Sequence, residues 1–297
     1  MREAVVLRLG SEGYPDLLAS TPEPPSSLNV LGSLPPLPAV AIVGSRRATP
    51  YGLRMAGALA RAAAEAGIAV VSGLARGIDA EAHRRALEAG GITWAVLGSG
   101  LDRIYPPEHG ALAEKIVSGG GAVISELPGD APPFRGNFPL RNRIISGLAW
   151  ATAVVEGDSR SGALITARLA LSQGRDVFAV PGPADSPMSE APHRLLREGA
   201  HVLTRFEDIL EEVPPLARLC SPRTGREENS GVLPLPPGPR PTIDEEKILQ
   251  LLGSEAARLE DLLRATGWSV ERLSRALVQM EVAGLVAAHP GQYYARI

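Results

Sequence analysis

The chain has 297 residues, 44% of them hydrophobic, which is enough for one large domain with a full core and a second small one. A net charge of -3 and a pI near 6.0 exclude a globally basic surface, so any nucleic-acid site must be local. The single cysteine, Cys220, excludes an internal disulfide framework and a multi-cysteine zinc site, and the longer apolar runs are broken by Gly, Arg or Asp. The expectation is a soluble cytoplasmic protein with no membrane segment.

Residues 1–38 carry Pro15, Pro22, Pro24, Pro25, Pro35, Pro36 and Pro38, and read as a proline-rich lead packed on the next domain. From Ala39 to residue 212, β-branched runs alternate with alanine-rich helical stretches, the pattern of βαβ units in a parallel sheet. Strands are expected at 39–43, 68–72, 93–97, 122–125, 153–156, 176–180 and 201–203. Helices are expected at 51–66, 78–89, 110–118, 162–173 and 191–198, several of them ended by Gly67, Gly90, Gly174 or Gly199. Residues 213–241 are rich in proline with no apolar periodicity and read as a linker. Residues 242–297 give three short helices, at 244–252, 259–266 and 270–283, and a hairpin-like end around Pro290-Gly291, the pattern of a winged helix. The fold class is α/β, an extended Rossmann-like parallel sheet with a small C-terminal winged-helix domain.

The chemistry lies in loops at strand ends. Val43-Gly-Ser-Arg46 offers Gly44 for close backbone approach, with Ser45, Arg46 and Thr49 as donors near a helix start. Ser72-Gly-Leu-Ala-Arg-Gly-Ile-Asp79 adds Gly73, Arg76 and Gly77, with Asp79 read as a helix cap and His83 as a core residue. Leu97-Gly-Ser-Gly-Leu-Asp-Arg103 and Glu156-Gly-Asp-Ser-Arg-Ser-Gly162 follow further strands, the latter aiming Ser161 and Gly162 at a helix start with Thr166 one turn in. Neither a dinucleotide fingerprint nor a lysine-bearing phosphate loop is present, so no cofactor is expected.

The densest segment is Phe134-Arg-Gly-Asn-Phe-Pro-Leu-Arg-Asn-Arg143, with three arginines, two asparagines and two phenylalanines in ten residues. Phosphate donors, amides and stacking faces together are what a single-stranded nucleic-acid groove needs. Anion cradles on several strand ends would line one rim, long enough for a polymer of phosphates. Arg46, Arg76, Arg135, Arg141 and Arg143 would supply its field, and Phe134 or Phe138 its stacking platform.

Several of these motifs occur together and in order: Val43-Gly-Ser-Arg46, Gly73-Leu-Ala-Arg-Gly-Ile-Asp79, Leu97-Gly-Ser-Gly-Leu-Asp102, Phe138-Pro-Leu-Arg-Asn-Arg143, Ser161-Gly-Ala-Leu-Ile-Thr166 and Gly174-Arg-Asp-Val-Phe-Ala-Val-Pro-Gly182. Over about residues 14–205 the chain resembles the DNA-processing family DprA, also called Smf. That resemblance implies binding of single-stranded DNA without strong sequence preference, protection of incoming DNA in natural transformation, and loading of the recombinase RecA. It also implies a homodimer that meets RecA and single-strand-binding protein. The family's DNA-binding residues carry over to Ser45, Arg46, Gly73, Arg76, Gly77, Arg135, Asn137, Phe138, Arg141 and Asn142, with Ser161, Gly162 and Thr166. Many members carry an N-terminal helical domain where this sequence has its proline-rich lead, and a lysine in the stretch where it has Arg135.

A rival reading is a nucleotide-processing hydrolase of the related phosphoribohydrolase class, but its Pro-Gly-Gly-x-Gly-Thr-x-x-Glu loop is missing. Asp79, Glu126 and Glu156 are not paired by spacing for acid–base work, so no catalytic residue and no metal are expected. A second rival, a sequence-specific regulator, fits poorly with a last long helix whose Arg272 and Arg275 are offset by Glu271 and Glu281.

Overall fold

The computed structural model describes residues 4–219, 248, 252, 257–282, 286–289 and 293–296. Two units are distinguished, residues 1–225 and 226–297.

In the first unit the short β-branched runs form the centre of a nine-stranded sheet, where both strand faces are covered and near-continuous apolar sequence is required. β3 (Ala39–Val43), β4 (Ala69–Ser72), β5 (Thr93–Val96), β6 (Ala122–Ser125), β7 (Ala151–Val154), β8 (Asp176–Ala179) and β9 (His201–Val202) run parallel. β1 (Val5–Arg8) and β2 (Ser27–Gly32) are antiparallel, and the spatial order is β1-β2-β6-β5-β4-β3-β7-β8-β9. Chain order therefore reverses at the seam between β3 and β7, the position at which open α/β sheets leave a crevice beyond their strand ends.

Side-chain alternation assigns the helices to two layers. Val40 and Ile42 point toward Ala56, Leu59 and Ile78, on the face covered by α2 (Pro50–Glu65) and α3 (Ile78–Glu88). Ala95, Leu97 and Val123 extend that face under α4 (Gly110–Ser118). Ala41 and Val43 point the opposite way, toward Ile144, Ile145, Leu164 and Leu195 of α5 (Asn137–Gly147), α6 (Gly162–Ser172) and α7 (Glu190–Arg197). Fully buried side chains such as Phe178, Ile42 and Leu59 each contribute roughly 1.5–3 kcal/mol by leaving water.

The expected strands and helices between 39 and 203 are present with ends shifted by at most two residues. Three regions differ. Residues 1–38 supply β1, β2 and the short α1 (Asp16–Ala19), and β2 pairs with β6 from Asn29↔Ser125 to Gly32↔Ala122. The prolines lie outside the strands, so they delimit these elements without interrupting the ladder. Residues 137–147, for which no element was expected, are helical, with Ile144 and Ile145 in the core. Past β9 come α8 (Glu207–Glu212) and α9 (Pro214–Leu219), so the stretch read as linker begins as a helix with Leu216 buried; proline is tolerated in a first helical turn, where no intrahelical N–H bond is lost.

In the second unit β10 (Ala257–Arg258), α10 (Leu259–Thr266), α11 (Val270–Val282), β11 (Val286–His289) and β12 (Tyr293–Arg296) build a three-stranded sheet in the order β10-β12-β11. Leu262, Leu273, Leu277, Met280 and Val286 form its core with Ile248 and Leu252. The rest of the helix expected at 244–252, the remainder of the linker and Cys220 lie outside the described residues. No helix among the described residues is long and apolar enough to cross a membrane.

Candidate nucleic-acid interface

A cleft of about 620 Å3 opens beyond the carboxyl ends of β3 and β7. Ser45, Arg46 and Arg47 form one wall, following β3. Asp158, Arg160, Ser161 and Gly162 form the facing wall, following β7, and Arg135, Phe138, Arg141 and Asn142 close it from the side of α5. Thr166 lies one turn inside α6, where its hydroxyl donates to the Gly162 carbonyl at 3.4 Å. Ser161 caps α6, its hydroxyl accepting from Ala163 N at 3.2 Å, so that helix presents its positive end to the cleft.

The arginines fall into two kinds. Arg46 and Arg135 are exposed, as are Arg47 and Arg160, and none of the four takes part in an ion pair among the described residues. Arg46 stands over the Phe138 ring at 5.3 Å, and Tyr105 tilts against that ring with centroids 5.7 Å apart. A half-buried aromatic face flanked by unpaired guanidinium groups results. Phe134, by contrast, is 67% exposed and lies against Gly136, outside the cleft.

Arg141 is of the second kind. It is 7% exposed, and its Nη1 donates to the carbonyls of Gly73, at 2.8 Å, and Val96, while Nε donates to Asn142 Oδ1 at 3.3 Å. Burial lowers its pKa to about 10; the Asp79 carboxylate opposes that shift and Arg46 adds to it, so the group stays charged at neutral pH. Nη1 is committed to strand-end carbonyls, which makes Arg141 a strap between the ends of β4 and β5 as well as part of the cleft lining. Gly73 lets it approach, since a Cβ there would sit 2.6 Å from Nη2.

Asp79 fixes the same loop from below, accepting from Gly73 N at 3.1 Å and Ala75 N at 3.3 Å. Burial pushes its carboxyl above the ordinary range, although Arg141 and these amides pull it back. Gly77, at φ 74°, precedes α3 in the left-handed region and brings the loop against Ser45, whose carbonyl accepts from Ile78 N at 3.2 Å. Gly77 thus joins the loop after β4 to the wall that follows β3 and does not line the cleft. His83 is fully buried, its Nδ1 2.6 Å from Thr93 Oγ1, and burial first, then His109 and Arg141, lower its pKa to about 3.

Other expected contributors are turned elsewhere. Arg76 pairs with Glu108 at 2.5 Å, in a small pocket beside the cleft together with Gly73. Arg143 pairs with Glu126 at 2.7 Å, away from the cleft. Asn137 lines a separate small pocket with Gly98, Glu126 and Leu140. The loop after β5 is not an open cradle: Gly100 N and Asp102 N donate to Ala131 and Gly129 carbonyls at 2.9 and 2.8 Å. Glu156 is 4% exposed and accepts from Thr49 N at 2.9 Å and Thr49 Oγ1 at 2.5 Å, so it caps the start of α2 and closes that helix end to an outside anion.

Sequence reasoning passed over Arg47, Arg160 and Tyr105. Each adjoins a chosen residue or lies in one of the strand-end loops, and the overlooked signal was a basic residue beside a chosen one, Arg47 after Arg46 and Arg160 before Ser161. Among the described residues, no group of three or more His, Cys, Asp or Glu is placed to hold a metal ion.

The family model for DNA recombination-mediator protein A matches residues 5–214, and that for the DprA winged helix domain matches 233–292. The chain is 41% identical over 294 residues to Protein Smf of Escherichia coli, covering 95% of this chain and 75% of that one. It is 40% identical over 209 residues to DNA processing protein DprA of Bacillus subtilis, covering 69% and 70%. Its fold matches the X-ray structure of DNA processing protein A from Streptococcus pneumoniae with TM-score 0.67 and 38% identity, over 71% of this chain and 75% of that one. It also matches DNA processing protein A from Helicobacter pylori, solved for its single-stranded DNA binding mode, with TM-score 0.63 and 29% identity over 71% and 96%. With an arginine-walled cleft at the switch point of a parallel sheet and both family models matched in order, the chain belongs to the DprA family of DNA recombination-mediator proteins.

Proposed function

We propose that the cleft binds single-stranded DNA through its sugar-phosphate backbone, with little sequence preference, and that the protein acts without catalysis as a recombination mediator. The observation that carries this reading is the placement of Arg46, Arg47, Arg135 and Arg160, unpaired, around the Phe138 ring and the N-terminus of α6. Guanidinium groups neutralise phosphates, the helix end adds a favourable dipole, and an aromatic face stacks a base of any identity. The single-stranded DNA binding named for the Helicobacter pylori relative supports it. A non-enzymatic role is favoured because Asp79, Glu126 and Glu156 are committed to the scaffold, which leaves Asp158 on the cleft wall without a second free carboxylate beside it among the described residues. Asp79 holds a loop, Glu126 pairs with Arg143 and Glu156 caps α2. Family membership extends the proposal to protection of incoming strands in natural transformation, release of the block set by single-strand-binding protein, and transfer of the strand to RecA by a homodimer.

A salt titration of binding to single-stranded and duplex DNA tests the site. Each phosphate contact on a single strand adds about 0.7 to the magnitude of the log–log slope, so Arg46→Ala and Arg160→Ala should each flatten it by about that amount. Equal affinity for duplex and single strands, or unchanged slopes in both variants, would refute the site. RecA filament formation on coated single strands tests the transfer: a protein that binds DNA yet never relieves the block is not a mediator.

A further inference from the structure

We propose that the bound strand continues out of the cleft along the exposed face of α2, over a second basic track formed by Arg47, Arg54 and Arg61. This rests on the reading of the cleft as a single-stranded DNA site and adds a direction to it. Pro50, Arg54, Ala58 and Arg61 recur at spacings of four and three, so they form one stripe along α2, and Arg47 lies in the turn just before that helix; all five are exposed. Arg47 also lines the cleft, which makes the stripe continuous with it. Arg54 and Arg61 are seven residues apart, about 10 Å along the axis and on the same side of the helix.

The stripe borders a groove of about 670 Å3 between α2 and α3, with Gly57 and Ala58 as its low floor and Glu81 and Arg85 on the far side. A run of arginines on a helix is usually balanced by acids one turn away, and on α3 this is so: Arg85 holds Glu81 and Glu88 at 2.7 Å each, and Arg84 lies 3.5 Å from Glu81. On α2 it is not. Arg54 rests on the Tyr51 ring at 5.9 Å, which steadies the side chain without neutralising it, and neither Arg54 nor Arg61 forms an ion pair among the described residues, Glu65 included. The acids of the groove are satisfied within α3 while the cations of α2 are left for an outside anion. A linear polyanion is the occupant that fits charges of one sign repeating along a line that begins at a polyanion site.

The test is a length series of oligothymidylates bound to the full chain, with wild type, Arg46→Ala and the double variant Arg54→Gln/Arg61→Gln, which keeps good helix formers on an exposed face. The double variant should bind the shortest strands that saturate the cleft as wild type does. On longer strands it should lose the gain in affinity with length, and its salt slope should be smaller by about 1.4, about 0.7 for each arginine. A wild-type slope on long strands would overturn the track, as would an equal loss on short and long strands, which marks a diffuse field. Arg46→Ala separates the two readings. Weak binding at every length with an unaffected double variant leaves the cleft and removes the track, and wild-type binding by Arg46→Ala removes the cleft reading itself.

Discussion

The loops after β3 and β7 and those after β4, β5 and β6 stand side by side on one sheet and are built from the same residue types, yet they do opposite things with charge. At the β3/β7 seam, Arg46, Arg47 and Arg160 have no acidic partner among the described residues and line the cleft. Across β4 to β6 the arginines singled out from the sequence are consumed: Arg141 by strand-end carbonyls and Asp79, Arg76 by Glu108, Arg143 by Glu126. The closed half is scaffold and the open half is available for binding. What separates them is the partner within reach, which depends on three-dimensional neighbours and not on the residue.

Arg141→Ala should break the closed half most severely. Removing one member of a buried charge network leaves two carbonyls without their donor and Asp79 without its nearby positive charge, a loss of about 3–5 kcal/mol in urea unfolding. Arg46→Ala should leave stability within about 0.5 kcal/mol while weakening binding. If Arg141→Ala instead unfolds as wild type and only flattens the salt slope, the division between scaffold and binding arginines is wrong.

Acid should expose the same half next. His83 stays neutral in the folded chain down to about pH 3, whereas the unfolded chain takes up a proton near 6.5. Above pH 6.5 both states are neutral there; below it the unfolded state binds more protons, so stability is lost on acidification at up to about 1.4 kcal/mol per pH unit until about pH 3. Asp79, its carboxyl raised by burial, acts in the opposite sense, so the informative quantity is the difference between wild type and His83→Gln. Parallel stability–pH curves for the two would remove His83 as the cause.

In the open half, Phe138→Ala should cost about 1–3 kcal/mol of single-strand affinity with the salt slope unchanged, because stacking releases no counterions. A changed slope would show that Phe138 acts mainly by positioning Arg46. The smallest effect is expected where the halves meet. Glu108→Gln releases Arg76 beside the cleft and should tighten binding and steepen the slope by up to about 0.7. No change on Glu108→Gln would mean that Arg76 cannot reach the strand even when free.

The sheet between Ala39 and Leu203 was legible because alternating apolar runs and glycine stops report burial directly. The strand-end position of the cleft was legible for the same reason. α5 was not, since a helix that buries Arg141 and Asn142 beside Ile144 lacks the clean polar face by which helices are recognised. β2 was hidden by the prolines on either side of it, and α9 by prolines that begin it. The pairing of Arg76 with Glu108, 32 residues away, leaves no local pattern. Arg46 and Arg135 could be read from their segments, Arg47 and Arg160 beside chosen residues were passed over, and which cations were already occupied could not be read at all.

The pairing of β2 with β6 sets an order of events during synthesis. Asn29 meets Ser125, and among the described strands β1 pairs with β2 alone, so these two strands can join the sheet only after residues 122–125 have left the ribosome. At about 5–20 residues per second the N-terminal hairpin waits several seconds with Leu28 and Val30 uncovered. The parallel core can start to assemble from β3 onward in that interval, and β1 and β2, made before it, are the last to close this edge of the sheet.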